Sequence, residues 1–357
     1  MALRDVVGHD KPLNILQKTI QRGRIPSSYL FAGESGIGKK LTAVNLAKAL
    51  NCVSRAQSAE CEEVDACDEC SSCRKIDAGI HPDFSLISPE SSQIRVEEIR
   101  AIGDALSFKA FEGRYKVVIV DDADTMNQYA ANAFLKTLEE PPENSLIILI
   151  SSNPDRLPDT IRSRCSRINF TPLALEACEE IIKKVLSQQS EDKIQGSGRR
   201  EQTKKRRSEK DLKTNALPDP RTLSLLVRLS MGRPGNVIAG DLIEEREWFM
   251  KLLKDMLNAE KDGWTSKEEM EKWFDLFLIL LRDMAVFKIT RNERDLINID
   301  IKEHLNKLSS SMDITVIIDN YQQLNALKGY FNFHLNKSLT WNYTGSLLRK
   351  AMGGAYA

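Results

Sequence analysis

Short, continuous apolar runs alternate with helical stretches over the first 170 or so residues of the chain. Three runs, at residues 28–32, 116–120 and 146–150, are mostly aliphatic or aromatic rather than alternating with polar side chains. Such runs are typical of strands buried on both faces of a parallel sheet. Between them, apolar residues recur at helical spacing over residues 94–106 and 130–138. The pattern therefore predicts an α/β domain, with a parallel sheet covered by helices.

The pattern changes beyond the α/β region. Residues 191–220 are polar, and seven basic side chains lie between Arg199 and Lys210, which is typical of a flexible loop or linker. From residue 242 onward the apolar spacing is wholly helical. We therefore predict three regions: an α/β domain at 1–170, short helices at 171–241 and an all-α domain at 242–357.

Composition and charge exclude several classes of protein. Hydrophobic residues at 41% and charged residues at 29% are ordinary for globular proteins, and no apolar run approaches the roughly 20 residues that cross a bilayer. We therefore expect no membrane partner. The 51 basic and 51 acidic side chains balance, so any contact with nucleic acid requires a local basic patch. The first residues lack a signal-peptide pattern, so a cytoplasmic, reducing location is expected.

A glycine-rich loop follows the first predicted strand. Gly33, Gly36, Gly38 and Lys39 fit the pattern G-x-x-x-x-G-K, with a strand before it and a helical run after it, as a phosphate-binding loop requires. Backbone N–H groups, the helix N-terminus and Lys39 could together bind the phosphates of ATP or ADP. Lys40 stands where a Ser or Thr hydroxyl normally coordinates Mg²⁺, and an ammonium group cannot replace that ligand. We expect nucleotide binding with little hydrolysis, and a purely architectural loop is the alternative.

Acidic residues follow the strand at 116–120. In a nucleotide site of this kind, Asp121 would lie at the metal and Asp122 would take the place of a longer glutamate that orients the attacking water. Because the aspartate side chain is one methylene shorter, Asp122 would reach that water poorly. This substitution also argues against hydrolysis.

Cysteines crowd into one short segment. Cys67, Cys70 and Cys73 form a tight triple, and Cys52 and Cys61 upstream are both candidates for a fourth ligand. Four thiolates suit tetrahedral Zn²⁺, and a site filled by four protein ligands would be structural. An iron–sulfur cluster and free thiols are the alternatives.

These motifs occur together with the run Ala-Asn-Ala-Phe-Leu-Lys-Thr-Leu-Glu-Glu-Pro-Pro at 131–142 and with Ser163-Arg164-Cys165. In this combination the chain resembles the bacterial clamp-loader subunits of DNA polymerase III, closely over residues 1–170 and loosely up to about residue 240. The resemblance implies an AAA+ domain with a five-stranded parallel sheet, a helical lid and a C-terminal collar domain. The implied partners are gamma or tau and delta-type subunits, a sliding clamp and primed DNA.

The resemblance also implies roles for particular residues. Arg164 would project into the nucleotide site of a neighbouring subunit, where its planar guanidinium could stabilise charge on the γ phosphate; on spacing alone, a surface ion pair is equally compatible. Asn153 would face the γ phosphate as a polar sensor, and Cys52 would be the first zinc ligand. Gly235 stands where hydrolysing relatives carry a sensor arginine, and Arg233 lies two places too early. These departures favour a non-hydrolysing stator within the family.

Three functional hypotheses follow. The leading one is a non-hydrolysing clamp-loader subunit that supplies Arg164 to its neighbour. The second is an ATP-hydrolysing motor subunit that uses Lys39, Asp121 and Asp122. The third is a DNA-binding adaptor that uses the basic run between Arg199 and Lys210.

Overall fold

The computed structural model describes residues 2–54, 65–89, 93–195, 219–240, 242–258, 263–331 and 335–351. The chain divides into two compact units. Unit 1 comprises residues 1–181 together with 232–236, and unit 2 comprises residues 182–231 together with 237–357. No described helix is both long enough and apolar enough to span a bilayer.

Unit 1 is built on a parallel sheet of five strands in the order β2-β3-β4-β1-β5. The three strands that the apolar runs predict, β1, β3 and β4, occupy the centre of this sheet. The strands are β1 (Ser28–Ala32), β2 (Phe84–Ile87), β3 (Lys116–Val120), β4 (Ser145–Ser151) and β5 (Ser166–Asn169).

The two faces of the sheet bury separate apolar clusters. On one face Phe31 and Ile148 pack with apolar residues of the two helices nearest the N-terminus. On the other face Leu30 and Leu149 pack with the helices that follow β2 and β3. Successive residues of a strand point to opposite faces, so a continuous apolar strand supplies both cores. The predicted parallel α/β domain is therefore confirmed.

Local capping fixes where several helices of unit 1 begin. Asn127 accepts a hydrogen bond from the backbone N–H of Ala130, and Glu98 accepts one from the N–H of Arg95, which satisfies donors that a helix start leaves unpaired. The helices up to the start of unit 2 are α1 (Asp10–Gln21), α2 (Lys39–Asn51), α3 (Ser71–Asp77), α4 (Val96–Leu106), α5 (Gln128–Glu139), α6 (Asp159–Arg162) and α7 (Leu175–Gln195).

The described residues from 242 onward are mostly helical, as their apolar spacing predicts. The core of unit 2 is rich in aromatic residues, and Trp273 stacks on Phe277 with ring centroids 5.0 Å apart. The buried side chains of Arg246 and Asn298 and the more exposed Asp300 form a network that joins distant parts of this unit, with two Arg246–Asp300 hydrogen bonds of 2.8 Å. The helices are α8 (Pro220–Leu229), α9 (Pro234–Ala239), α10 (Leu242–Leu257), α11 (Lys267–Thr290), α12 (Lys302–Ser311), α13 (Ile314–Gly329) and α14 (Lys337–Ala351).

Candidate functional site

The phosphate loop connects β1 to α2 and depends on glycine at two close approaches. A Cβ atom on Gly33 would lie 2.4 Å from the carbonyl oxygen of Phe170, and one on Gly36 would lie 2.4 Å from Oδ1 of Asn236. Gly36 and Gly38 also have positive φ angles, of 77° and 98°, which glycine adopts without strain. The loop therefore has the backbone that the motif predicts.

The inner side of this loop offers hydrogen-bond donors. Within the described residues, no acceptor meets the backbone N–H groups of residues 35–38, which precede α2. Lys39 is only 5% exposed, and its Nζ donates to the carbonyls of Gly33 at 2.5 Å and Glu34 at 2.6 Å. Burial lowers the pKa of Lys39, while nearby carboxylates, including Asp121, oppose that shift. N–H groups and an ammonium at a helix N-terminus can bind phosphate.

His9 contacts the phosphate loop and was not identified from the sequence. Its ring Nε2 lies 2.6 Å from the carbonyl oxygen of Ile37, and its ring packs edge-on against Phe170 with centroids 4.9 Å apart. A carbonyl only accepts, so Nε2 carries the proton and donates. Burial lowers the pKa of His9, although the bond to Ile37 opposes this shift. The neutral ring is therefore favoured. The residue precedes α1 and carries no sequence motif that links it to the loop.

Residues 232–236 cover the outer side of the phosphate loop. The backbone N–H of Gly235 donates to the carbonyl of Gly36 at 2.9 Å, and Arg233 pairs with Glu34 at 3.3 Å. A Cβ on Gly235 would lie 2.8 Å from that same carbonyl, so the position that lacks a sensor arginine is also one where a side chain does not fit without movement. Arg233 thus contacts the loop through a carboxylate.

Lys40 occupies the place where a metal ion would be expected. Its Nζ lies 3.1 Å from Oδ2 of Asp121 and 3.5 Å from Oγ of Ser88, at the ends of β3 and β2. The Asp121 side chain is 17% exposed and that of Lys40 is 48% exposed. Mg²⁺ needs oxygen ligands in near-octahedral geometry, whereas an ammonium offers only donors and repels a cation. The residues present therefore do not fit Mg²⁺.

The other acidic and polar candidates lie along the same edge of the sheet. Asp122 is exposed and has a positive φ of 47°. Asp124 accepts a hydrogen bond from the backbone N–H of Ser152 at 3.2 Å, which ties the end of β3 to the end of β4. Asn153 is exposed, two residues after the end of β4. The structure thus places Asp121, Asp122 and Asn153 at the carboxyl edge of the sheet, where α/β folds bind ligands.

Arg164 lies at the surface of unit 1, between α6 and β5. Its Nη2 lies 2.7 Å from Oε1 of Glu139, and its Nη1 donates to the carbonyl of Thr160 at 2.8 Å. Its backbone carbonyl accepts a 2.7 Å hydrogen bond from Oγ of Ser28 at the start of β1. With its side chain 36% exposed, the guanidinium is held in one orientation and still reaches solvent. Glu139 belongs to the run at 131–142, but the sequence did not link it to Arg164.

Four cysteines converge beside the C-terminal end of α2. The Sγ atoms of Cys52, Cys67, Cys70 and Cys73 all lie within 4.8 Å of one another. Tetrahedral Zn–S bonds of about 2.3 Å would bring sulfur atoms to about 3.8 Å, so a small contraction would suffice. The four thiols can hold a metal ion. The other candidate ligand, Cys61, lies outside the described residues, as does the basic run between Arg199 and Lys210.

The thiols differ in how readily they ionise. Burial alone would raise the pKa of Cys67, but Ser54 and the backbone N–H groups of Cys70 and Glu69 outweigh it and lower the pKa to about 6. Burial raises the pKa of Cys73, which lies deeper in the cluster. Zinc and iron bind thiolates, so a bound metal would hold Cys73 deprotonated against this shift.

A buried lysine attaches the cysteine segment to the helix of the phosphate loop. Lys48 on α2 is fully buried, and its Nζ contacts Asp68 Oδ1 at 2.5 Å and Asp77 Oδ1 at 3.0 Å. Asp65 adds a second attachment, since its two carboxylate oxygens accept the backbone N–H groups of Leu3 and Arg4. Lys48 was not identified from the sequence because Asp68 and Asp77 lie 20 and 29 residues further along the chain.

Residues 8–174 match the family described as DNA polymerase III, delta subunit. The chain is 36% identical over 168 residues to DNA polymerase III subunit delta' of Bacillus subtilis, covering 47% of this chain and 49% of that one. It is 35% identical over 185 residues to subunit tau of Escherichia coli, covering 52% of this chain and 28% of that one. The chain thus spans about half or less of these relatives. Among solved structures, the chain is similar to a DNA polymerase III gamma subunit-related protein from Thermotoga maritima, with 20% identity and a TM-score of 0.40. The alignment covers 96% of this chain and 100% of that one.

Proposed function

We propose, because residues 8–174 match the family described as DNA polymerase III, delta subunit, that the whole chain is a clamp-loader subunit of the delta prime type. In this role it assembles with gamma or tau and delta-type subunits and helps place a sliding clamp on primed DNA. It acts as a stator, which contributes to a neighbouring ATP site without hydrolysing ATP itself.

The observation that carries this proposal is the presentation of Arg164. Two fixed acceptors, Glu139 and the Thr160 carbonyl, hold the guanidinium at 2.7 and 2.8 Å, and the side chain remains 36% exposed. A guanidinium fixed at a surface is suited to stabilise phosphate charge on another subunit, because its donors are planar and already oriented. Its neighbours have other partners: Arg162 pairs with Asp155 and Asp159, and Arg167 donates to Asn169.

The chain's own phosphate site supports the non-hydrolysing part of the proposal. Phosphoryl transfer depends on a metal that bridges the β and γ phosphates. Here the carboxylate that would hold it, Asp121, is paired with Lys40. Asp122 is short and exposed, and Gly235 supplies no sensor side chain.

The cysteine cluster has a structural role in this account, with zinc as the proposed metal. Cys52, Cys67, Cys70 and Cys73 supply four thiolates, which leave no open coordination position for catalysis. When bound, the metal would fasten the cysteine segment to Cys52, the residue that directly follows α2. Cytoplasmic proteins seldom use disulfides, so metal binding is the expected use of four clustered thiols.

Two measurements test the proposal. In native mass spectrometry, the full-length chain mixed with the gamma or tau and delta-type subunits of its own organism should give a defined complex that contains it. Steady-state phosphate release by the isolated chain should not exceed that of its Lys39→Ala variant. Turnover by the isolated chain that this variant abolishes would instead establish a motor subunit, and a failure to join the complex would overturn the assignment.

A further inference from the structure

We propose that the phosphate loop binds a nucleoside di- or triphosphate without a divalent metal ion, the Lys40 ammonium standing in the metal's place on Asp121. This inference deepens the proposed function, on which it rests for the nature of the ligand. It starts from the ion pair of 3.1 Å between Lys40 Nζ and Asp121 Oδ2 and from the nearby Oγ of Ser88 at 3.5 Å.

The ammonium group supplies positive charge, as a metal ion would, but it cannot coordinate ligands. It places positive charge between the end of β3 and the loop, and its remaining N–H donors can bind phosphate oxygen. It cannot accept ligands from water or from a hydroxyl, and it repels a second cation at this distance. A divalent ion would have to displace Lys40 from Asp121 before it could bind there.

The loop still supplies the other requirements for an anionic ligand. The N–H groups of residues 35–38 have no acceptor within the described part of the chain, and they lead into α2, a helix of 13 residues. Lys39 adds a second ammonium close to these donors. Two ammonium groups and a helix N-terminus can together offset the charge of a diphosphate.

The covering segment does not use these donors. Gly235 binds the carbonyl of Gly36 rather than its N–H, and Arg233 binds the Glu34 side chain. Closure of residues 232–236 over the loop therefore leaves its anion-binding groups available. This separation explains how the site can be covered and still bind phosphate.

The test titrates the isolated full-length chain with a fluorescent ADP analogue, mant-ADP, in metal-depleted buffer and in excess MgCl₂. No chelator is added, so that the cysteine cluster stays intact. Since Mg²⁺ also binds the free analogue and Lys40 repels a cation, the wild type should bind no more tightly in excess MgCl₂ than in metal-depleted buffer, with any tightening below about twofold. Lys39→Ala should lose binding in both buffers, which locates the probe at the loop.

A matched variant makes the inference refutable. Lys40→Thr supplies the missing hydroxyl and frees Asp121, so Mg²⁺ should tighten its binding of mant-ADP by at least about fivefold. Adding Asp121→Asn to Lys40→Thr should remove that response. Thermal unfolding of each variant shows that it is folded, which is expected because the Lys40 side chain is half exposed.

Three results would overturn the inference: no saturable binding by the wild type, wild-type binding that Mg²⁺ tightens fivefold or more, or a Lys40→Thr variant that ignores Mg²⁺. The titration needs no partner subunit. A failure of the chain to assemble with other subunits would therefore refute the proposed function and leave this result unaffected.

Discussion

Arg164 and Glu139 form an ion pair of 2.7 Å across the surface of unit 1, between the segment that precedes β5 and the end of α5. Both side chains are partly exposed, at 36% and 49%. Exposed pairs contribute about 0–1 kcal/mol to stability, so this pair does little to hold the fold together. Together with the Thr160 carbonyl, it fixes the orientation of the guanidinium.

Glu139→Gln should therefore affect the function of Arg164 more than the stability of the chain. Loss of the charged acceptor frees the guanidinium to rotate, so the ATPase activity of the assembled loader should fall by up to about tenfold, or about 1.4 kcal/mol in activation free energy. The midpoint of urea unfolding of the isolated chain should stay nearly unchanged.

The adjacent Glu140 provides the control for this prediction. It is exposed and follows α5 directly, and Glu140→Gln removes the same charge without touching the pair. Equal losses of activity in the two variants would mean that net charge matters here and that Glu139 does not position Arg164.

Lys48→Met tests the attachment of the cysteine segment to α2. The substitution keeps a similar volume but leaves Asp68 and Asp77 without their buried partner. Both carboxylates are partly exposed, so the loss should be about 2 kcal/mol in the free energy of unfolding rather than the larger penalty of a fully buried ion pair. Chemical denaturation at neutral pH measures it.

Lys75→Met on α3 is the matched control. Lys75 pairs with Glu112 at 2.7 Å, but both side chains are 37% exposed. Its loss should cost less than about 1 kcal/mol. If the two variants were equally stable, Lys48 would not hold the segment.

The buried His9 predicts a dependence of stability on pH. Burial lowers the pKa of His9 in the folded chain, so its contribution is fully present above the ordinary histidine value of about 6.5. That contribution is lost as the pH falls from about 6.5 toward the folded-state value, because the unfolded chain then binds the proton first.

His9→Phe removes this titration and the bond to Ile37. The variant should be less stable than the wild type near pH 7.5, and acidification to about pH 5.5 should cost it less stability than it costs the wild type. Urea unfolding at both pH values measures the difference. A wild type and a variant that lost stability in parallel would show that His9 does not titrate on unfolding.

The cysteine cluster predicts metal content and its effect on folding. The purified wild type should carry about one zinc ion per chain, and Cys73→Ala should carry much less, because three thiolates remain. Cys178→Ala is the control, because Cys178 is buried outside the cluster. It shows how much stability is lost when any buried thiol is removed. Elemental analysis measures the zinc content of each variant, and thermal unfolding measures its stability. Equal zinc in the two variants would exclude Cys73 as a ligand.

The sequence predicted the centre of the sheet better than its edges. The apolar runs at 28–32, 116–120 and 146–150 correspond to β1, β3 and β4, because strands buried on both faces leave an unmistakable continuous pattern. The four-residue edge strands β2 and β5 include polar, partly exposed positions and are too short to show a period. The number of strands came from the family resemblance, and the sheet has the five strands that the resemblance implies.

The candidate site shows the same division between local and distant information. Spacing identified the phosphate loop and the cysteine triple because their residues are close together in the chain. The partners His9 with Ile37, Lys48 with Asp68 and Arg164 with Glu139 each join separate segments, and only the fold brings them together. From its residue type, Lys40 was expected not to replace the hydroxyl that coordinates Mg²⁺, but its pairing with Asp121 required the structure.

The role proposed for Arg164 lies in the nucleotide site of a neighbouring subunit. It is tested most directly by the DNA-stimulated ATPase activity of the reconstituted loader that carries Arg164→Ala, beside one that carries Arg167→Ala as the matched surface arginine. We expect Arg164→Ala to abolish turnover at the one site it serves, so that the total rate falls by at least that site's share, while Arg167→Ala leaves the rate unchanged. Full activity of an assembled Arg164→Ala loader would contradict the account.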